Sequence, residues 1–469
     1  MDQTAEWERE FNRWLAPFVV ALGDKRRARW APVYVRGLLG PGERKSIEPV
    51  AARVAPADYQ QLHHFVCVAS WNPAPLESLL ATEAQRLVGG PDAVLIIDDT
   101  ALLKQGTHSV GVSRQYAGAV GKMANCQVLV SLTLARDEVP VPVALRLFLP
   151  EGWTTDPPRC ARAGVPAARS AFQTKPALAL VELDRLRSLG VTFGLVLADA
   201  GYGTSRKFRR GLTARGLVWA VGLLSNQLVY SADVALRRPP RRRTTGRPPQ
   251  RRRPTRPAVS TAAMLAGAHW RRVSWRDGTK GPLAARFAAA RVRVADGPPI
   301  SHGAPLPGDE TVWLVGEERA TGERKYYVSN LPATATLPQL ARAIKARWVC
   351  EQAHQQLKEE LGLDHFEGRS WTGLHHHALL TQLAFTFLQH LRLRDAASMP
   401  GSAATAGGEN QPNTSPARVT ATPRSAPAAH ATGRAPAPGS PSHRRRTPLP
   451  EMPRAAHIRA ARMTQDLAE

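Results

Sequence analysis

Apolar residues Trp7, Phe11, Trp14, Leu15 and Phe18 recur at helical spacing near the start of the chain. The pattern predicts a mostly helical segment over residues 1–90. Within it Lys25, Arg26, Arg27 and Arg29 form a basic stretch, and a further helix ends near Phe65. From residue 91 short apolar runs alternate with helical spacing. Runs 94–97, 128–134 and 139–148 read as strands, with Arg136, Asp137 and Glu138 at a hairpin turn. Residues 104–122 read as a Gly-rich, basic loop. Residues 176–189 read as a helix, 191–197 as a strand, 205–215 as a basic helix and 217–223 as another strand. This order supports an α/β sheet over 91–223 without specifying its topology.

Residues 224–325 differ in character. The stretch 237–256 is a run of Arg, Pro and Thr, too polar to fold alone, and reads as a surface linker or a basic arm. Segments 270–275, 284–294, 311–316 and 325–329 read as strands, with Trp270, Trp275 and Trp313 as core rings. Residues 337–361 then read as one helix, with Pro338 in its first turn, no further Gly or Pro, and Gly362 following. An apolar helix spans 378–391, closing a second α/β part over 326–394. Beyond it, 395–469 is dominated by Ala, Pro, Ser, Thr, Gly and Arg and reads as a disordered tail.

Composition adds a partner. The chain has 469 residues, 43% of them hydrophobic, and a formal net charge of +25. Its length suits two or three domains. Such a charge calls for an acidic polymer, nucleic acid first and a membrane surface second. No apolar run approaches the roughly 20 residues of a membrane span. The acidic start MDQTAEWERE has no apolar core of a signal peptide, so a cytoplasmic protein is expected. Cys67, Cys126, Cys160 and Cys350 lack metal-type spacing and read as free thiols.

The candidate chemistry is acidic. At roughly 100° per residue, Glu351 lies about 40° and Lys358 about 20° round the helix from Arg347, with His354 on the same stripe. A solvated, ion-paired face is the alternative reading. Partners for Glu351 exist, because the run 94–97 ends at Asp98, Asp99 and Thr100 and the run 191–197 leads to Asp199. Three carboxylates so carried can converge on Mg²⁺ or Mn²⁺, which prefer oxygen ligands. Periodicity alone does not choose between Asp98 and Asp99.

The motifs IDDT at 97–100, HSVGVSRQYAGAVGKMANCQ at 108–127, ADAGYG at 198–203, WRDGTKG at 275–281 and ELGLDHFEGRSW at 360–371 resemble a DDE-type bacterial insertion-sequence transposase. Arg347, Glu351 and Lys358 match the Arg, Glu and Lys of that family's Tyr-Arg-Glu-Lys signature; Ile344 stands at the Tyr position. The resemblance implies an all-α N-terminal DNA-binding domain and a ribonuclease H-like catalytic domain interrupted by a β-rich insertion. It implies Asp99, the Asp before Thr100, with Asp199 and Glu351 as catalytic metal ligands for two Mg²⁺ or Mn²⁺ ions. Adjacent carboxylates repel, so Asp98 needs a cation of its own, and Lys104 reads as its local partner. Arg347, Lys358, Lys104, Arg114, Lys122 and Arg369 become candidate phosphate contacts. One of Trp270, Trp275 and Trp313 could stack on a flipped base. Implied partners are double-stranded DNA, as terminal inverted repeats and target, and a second copy of the chain. Competing readings are a non-transposing nuclease on the same sheet and a catalytically dead DNA-binding relic.

Overall fold

The computed structural model describes residues 3–238, 252–278, 281–299 and 303–398. The predicted tail therefore lies outside the described residues from 399 onward, as do residues 239–251 of the basic arm.

Residues 3–90 are mainly helical: α1 (Gln3–Ala21), α2 (Lys25–Leu39), α3 (Ile47–Val54) and α4 (Ala74–Val88), with short helical turns between the last two. Asp24 starts α2 by accepting the backbone N–H groups of Arg26 and Arg27. The stripe Trp7, Phe11, Trp14, Leu15 and Phe18 is buried. It packs against the last helix of the chain, Trp371–Ser398, where Phe387 meets the rings of Trp7, Phe11 and Trp14 at centroid distances of 5.7, 5.3 and 5.4 Å. One apolar core thus joins the N-terminal helices to residues 353–387.

Eleven labelled strands follow: β1 (Val94–Leu103), β2 (Ser113–Ala117), β3 (Lys122–Arg136), β4 (Val139–Leu147), β5 (Leu195–Ala198), β6 (Trp219–Leu223), β7 (Leu228–Ser231), β8 (Arg271–Gly278), β9 (Gly281–Val294), β10 (Val312–Glu318) and β11 (Arg324–Ser329). With the short segment Val259–Ser260 they form a twelve-stranded mixed sheet. Its path runs β7, β9, β10, β11, β6, β5, β1, β3 and β2, with β4 also on β3 and β8 on β9. β1 is antiparallel to β3 and parallel to β5, which is parallel to β6. The strands of 271–329 are no separate sheet, because β11 pairs with β6. Strand β2 occupies part of what reads as a loop over 104–122. Asp137 takes φ 54° at the β3–β4 turn, a left-handed conformation that Asp tolerates.

Helices cover both faces. α5 (Lys175–Ser188) and α6 (Arg206–Ala214) lie in the core that includes Leu95, Ile97 and Val130. The predicted helix 337–361 is two helices, α7 (Leu337–Lys345) and α8 (Trp348–Glu359), separated at Ala346 and Arg347. α7 opens on a capping box between Thr336 and Gln339. The break carries no Gly or Pro. It falls between Lys345, bound to Glu317 at 2.6 Å, and Arg347, bound to Asp98, so tertiary ion pairs act on both sides of it. α9 (Trp371–Ser398) is longer than the predicted 378–391, and the boundary drawn at 394 lies inside it. No helix among the described residues is long and apolar enough to cross a membrane.

Candidate active site

β1 is longer than its apolar run and stays paired with β3 to Leu103. Its pairing with β5 stops at Ile97 opposite Ala198. Asp98 and Asp99 therefore sit mid-strand, where the parallel neighbour ends and Asp199 begins the next turn. Asp199 caps that turn by accepting the N–H of Tyr202.

Side chains alternate along β1, and the two cores identify each face. Ile96, on the Asp98 face, packs with Val349, Cys350 and Leu340 of α7 and α8. Leu95 and Ile97, on the Asp99 face, pack with Leu178, Ala179 and Tyr202. Asp98 therefore faces the helix that carries Glu351, and Asp99 faces the other layer.

Arg347 donates to both Asp98 and Glu351. The expected local partner Lys104 is not used by Asp98; its ammonium donates to the Phe366 carbonyl. Asp99 is held by Lys175 at 2.7 Å and by the Tyr202 hydroxyl at 2.6 Å. The sequence pattern alone singles out neither Lys175 nor Tyr202. The available signals were Lys175 one residue after the helix-capping Thr174, and Tyr202 inside the AGYG that follows Asp199.

The electrostatics of the cluster are those of carboxylates short of cations. Burial pushes the Asp98 carboxyl up to about 7; Arg347 opposes the shift and Asp199 adds to it. Burial also raises Asp199, with Arg347 opposing and Asp99 adding. Burial works against the Arg347 charge, but Asp98 and Glu351 outweigh it and keep the guanidinium firmly protonated. The donors of Asp98, Asp199 and Glu351 are all oxygen, the kind a hard divalent cation prefers, and such a cation would relieve the repulsion between Asp98 and Asp199. Among the described residues, these three are not a group whose ligand atoms all lie within 4.8 Å of one another.

Cys350 and His354 also approach Asp98, the three ligand atoms lying within 4.8 Å of one another. His354 bonds to the Ser131 hydroxyl at 2.7 Å, and Cys350 to Thr133 at 3.5 Å. Burial drives the thiol up to about 12 and the imidazole down to about 3. Both are therefore neutral and hydrogen-bonded at neutral pH. His354 seats α8 on the sheet rather than sharing a solvent-facing stripe with Arg347 and Glu351.

Among the other candidates, Arg114, Lys122 and Arg369 are exposed, while Lys104 and Lys358 are half-buried. Burial lowers the ammonium pKa of both lysines. Ile344 is buried in the core. All three tryptophans are partly buried. Arg324 lies 4.8 Å from the Trp270 ring and Lys345 4.5 Å from that of Trp275. The Trp313 indole donates to the Pro332 carbonyl, and its ring borders a groove with His269 and Arg271.

The Asp98 shift has a consequence for stability. Its folded pKa lies above the ordinary 3.8, so its favourable contribution is complete below that value and is lost as pH rises through about 7. Without divalent metal, chemical denaturation of the protein should show this loss between about pH 4 and pH 7. Asp98→Asn should reduce that slope, which an unchanged slope would contradict.

A strand-borne acidic pair, a second strand-end Asp and a helix-borne Glu define a class that comparison with known proteins makes concrete. Over residues 17–282 the chain matches the family described as DDE superfamily endonuclease, and it belongs to that family. The matched segment contains Asp98, Asp99 and Asp199 and ends before Arg347 and Glu351. The chain is similar to the probable transposase for insertion sequence element IS701 of Microchaete diplosiphon, 30% identical over 194 residues. That match covers 41% of this chain and 48% of the relative, so the chain spans about half of that protein's length. A solved structure, the cryo-EM structure of piggyBac transposase synaptic complex with hairpin DNA, covers 81% of this chain and 74% of its own at 10% identity. Its TM-score of 0.37 is too low to carry an inference about fold or residues.

Proposed function

We propose that this protein is an insertion-sequence transposase that cuts DNA at element ends and joins them to target DNA. The observation that carries this reading is the gathering of Asp98 and Glu351 on one guanidinium, with Asp199 at the adjoining strand end. Support for a ribonuclease H-like catalytic sheet comes from the order β4, β3, β1, β5, β6, antiparallel in its first half and parallel in its second.

Asp98, Asp199 and Glu351 would hold the divalent cations, two Mg²⁺ or Mn²⁺ ions in this reading. When bound, these ions supply Lewis acidity toward the scissile phosphodiester. Asp98 replaces Asp99 in the set because it shares the face of α8. Asp99 acts as a positioning residue: it holds the Tyr202 hydroxyl, and the Tyr202 N–H in turn holds Asp199. Arg347 and Lys358 would hold phosphates beside the cut, with Lys104, Arg114, Lys122 and Arg369 along the approach. The helices of 1–90 would grip the terminal repeats, and two copies of the chain would bring two ends together. The net charge of +25 suits a DNA partner in the bacterial cytoplasm.

The test is incubation of purified protein with the DNA flanking its own gene in Mg²⁺ or Mn²⁺. Cuts at inverted repeats and joined target products are expected. Unselective cutting without joined products identifies a simple nuclease, and binding without cutting identifies a relic.

A further inference from the structure

The sheet segment β8–β11 meets the acidic site at two points, and each contact is made by a carboxylate outside the set Asp98, Asp199 and Glu351. The first is Glu317 on β10, whose side chain is 1% exposed. It accepts from Lys345 at 2.6 Å and from the Tyr327 hydroxyl at 3.1 Å, and Arg319 lies 3.5 Å away. Lys345 is the last residue of α7. Arg347 follows two residues later, at most about 7 Å along the chain. Its guanidinium holds both Asp98 and Glu351.

The second is Asp296, just past the end of β9. It pairs with Arg209 of α6, whose side chain is 5% exposed. Arg209 also donates to the Gly203 carbonyl. The Gly203 N–H in turn donates to the Asp199 carbonyl at 2.9 Å, closing the turn that Asp199 begins. That turn rests directly on β6: a Cβ added at Gly222 would lie 2.6 Å from the Ala200 nitrogen. Tyr327 joins the two points. It stands opposite Gly222 in the register of β11 on β6, and its hydroxyl is the one that Glu317 accepts.

The strand of Asp98 needs no such tie, because β1 lies mid-sheet with β3 and β5 paired on either side. Asp199 and Glu351 are placed differently. One begins a turn past the end of β5 and the other rides on a helix, so neither is fixed by the ladder. A buried charge cannot leave its partner without being stranded away from water. The pairs Glu317–Lys345 and Asp296–Arg209 therefore fix the two elements that the ladder leaves free.

We propose that β8–β11 acts as a two-point clamp that sets the positions of Asp199 and Glu351 around Asp98, with Asp296 and Glu317 as its positioning residues. The inference rests on the metal-dependent cutting reading above. It adds to that reading two residues that reach the site only through Arg209 and Lys345.

The test measures Mn²⁺ binding to the full chain, without DNA, by electron paramagnetic resonance of the free ion, beside urea unfolding. Wild type should bind Mn²⁺, and Asp98→Asn should abolish that binding. Asp296→Asn and Glu317→Gln should each weaken Mn²⁺ affinity by about 10–100-fold at equal folded fraction, the range typical of residues that orient metal ligands. Asp296→Glu and Glu317→Asp keep the charge but change its reach, and should fall between. If an amide variant does not fold, its charge-keeping counterpart decides. A carboxylate that serves stability alone would lower the urea midpoint and leave the affinity of the folded protein unchanged. Wild-type Mn²⁺ affinity in the folded variants therefore overturns the clamp and leaves the cutting reading standing. No Mn²⁺ binding by wild type, or binding that survives Asp98→Asn, overturns the metal set of that reading and the clamp with it.

Discussion

Glu351→Gln is expected to abolish metal-dependent DNA cleavage while leaving DNA binding within a few-fold of wild type. The amide is close in shape but lacks the charge that a hard cation requires of a ligand. Glu351 is half-exposed at the first turn of α8, and it pairs with Arg347, so its replacement removes little packing. A large loss of stability is therefore not expected, since Arg347 keeps Asp98 as its partner. Cleavage assayed in Mg²⁺ alongside electrophoretic mobility shift separates the two effects. Cutting by the Gln variant at the wild-type rate would remove Glu351 from the mechanism.

The second large effect is structural. Phe387 is fully buried and contacts three aromatic rings of α1. Phe387→Ala leaves a cavity in the core that joins the N-terminal helices to α9. Its cost should be about 3–5 kcal/mol, typical of truncating a core Phe. If that core is one cooperative unit, urea unfolding followed by tryptophan fluorescence should move as a single earlier transition. A separate early transition confined to the N-terminal helices would show that they fold as a module of their own.

Much of this fold is legible in the sequence, because hydrophobic period reports local structure. The strand carrying Asp98, the strand leading to Asp199, the helix carrying Glu351 and the strands of 271–329 all follow from local sequence pattern, whereas the pairing of the first two does not. The features that do not follow depend on partners distant in sequence. The break at Arg347 lies among good helix formers and coincides with ion pairs to Glu317 and Asp98. Strand β2 is polar along much of its length and takes its form from pairing with β3. The continuity of the sheet through β6 and β11 is invisible to periodicity, which says nothing about which strands pair.

Residues 375–377 make the same point. Histidine is a polar residue, yet all three consecutive histidines are buried in α9. Each can donate its one N–H to a backbone carbonyl: His375 to that of Trp371, His376 to either that of Val66 or that of Trp71, and His377 to that of Gly362. Burial keeps each imidazole pKa near 4, so these rings pack as neutral groups. The choice between Asp98 and Asp99 was similarly closed to periodicity, because both faces of β1 are apolar upstream. It opens only when α8 is placed on one face and Tyr202 on the other.

That choice carries the central claim, and one measurement addresses it. Asp98→Asn and Asp99→Asn should be compared for Mg²⁺-dependent cleavage of the same DNA at equal folded fraction. Asp98→Asn is expected to show no detectable cleavage. Asp99→Asn, which disturbs only the support of Asp199, is expected to keep measurable activity, reduced by about 10–100-fold. Undetectable cleavage by Asp99→Asn together with near-wild-type cleavage by Asp98→Asn would contradict this assignment and place the metal on the other face of β1.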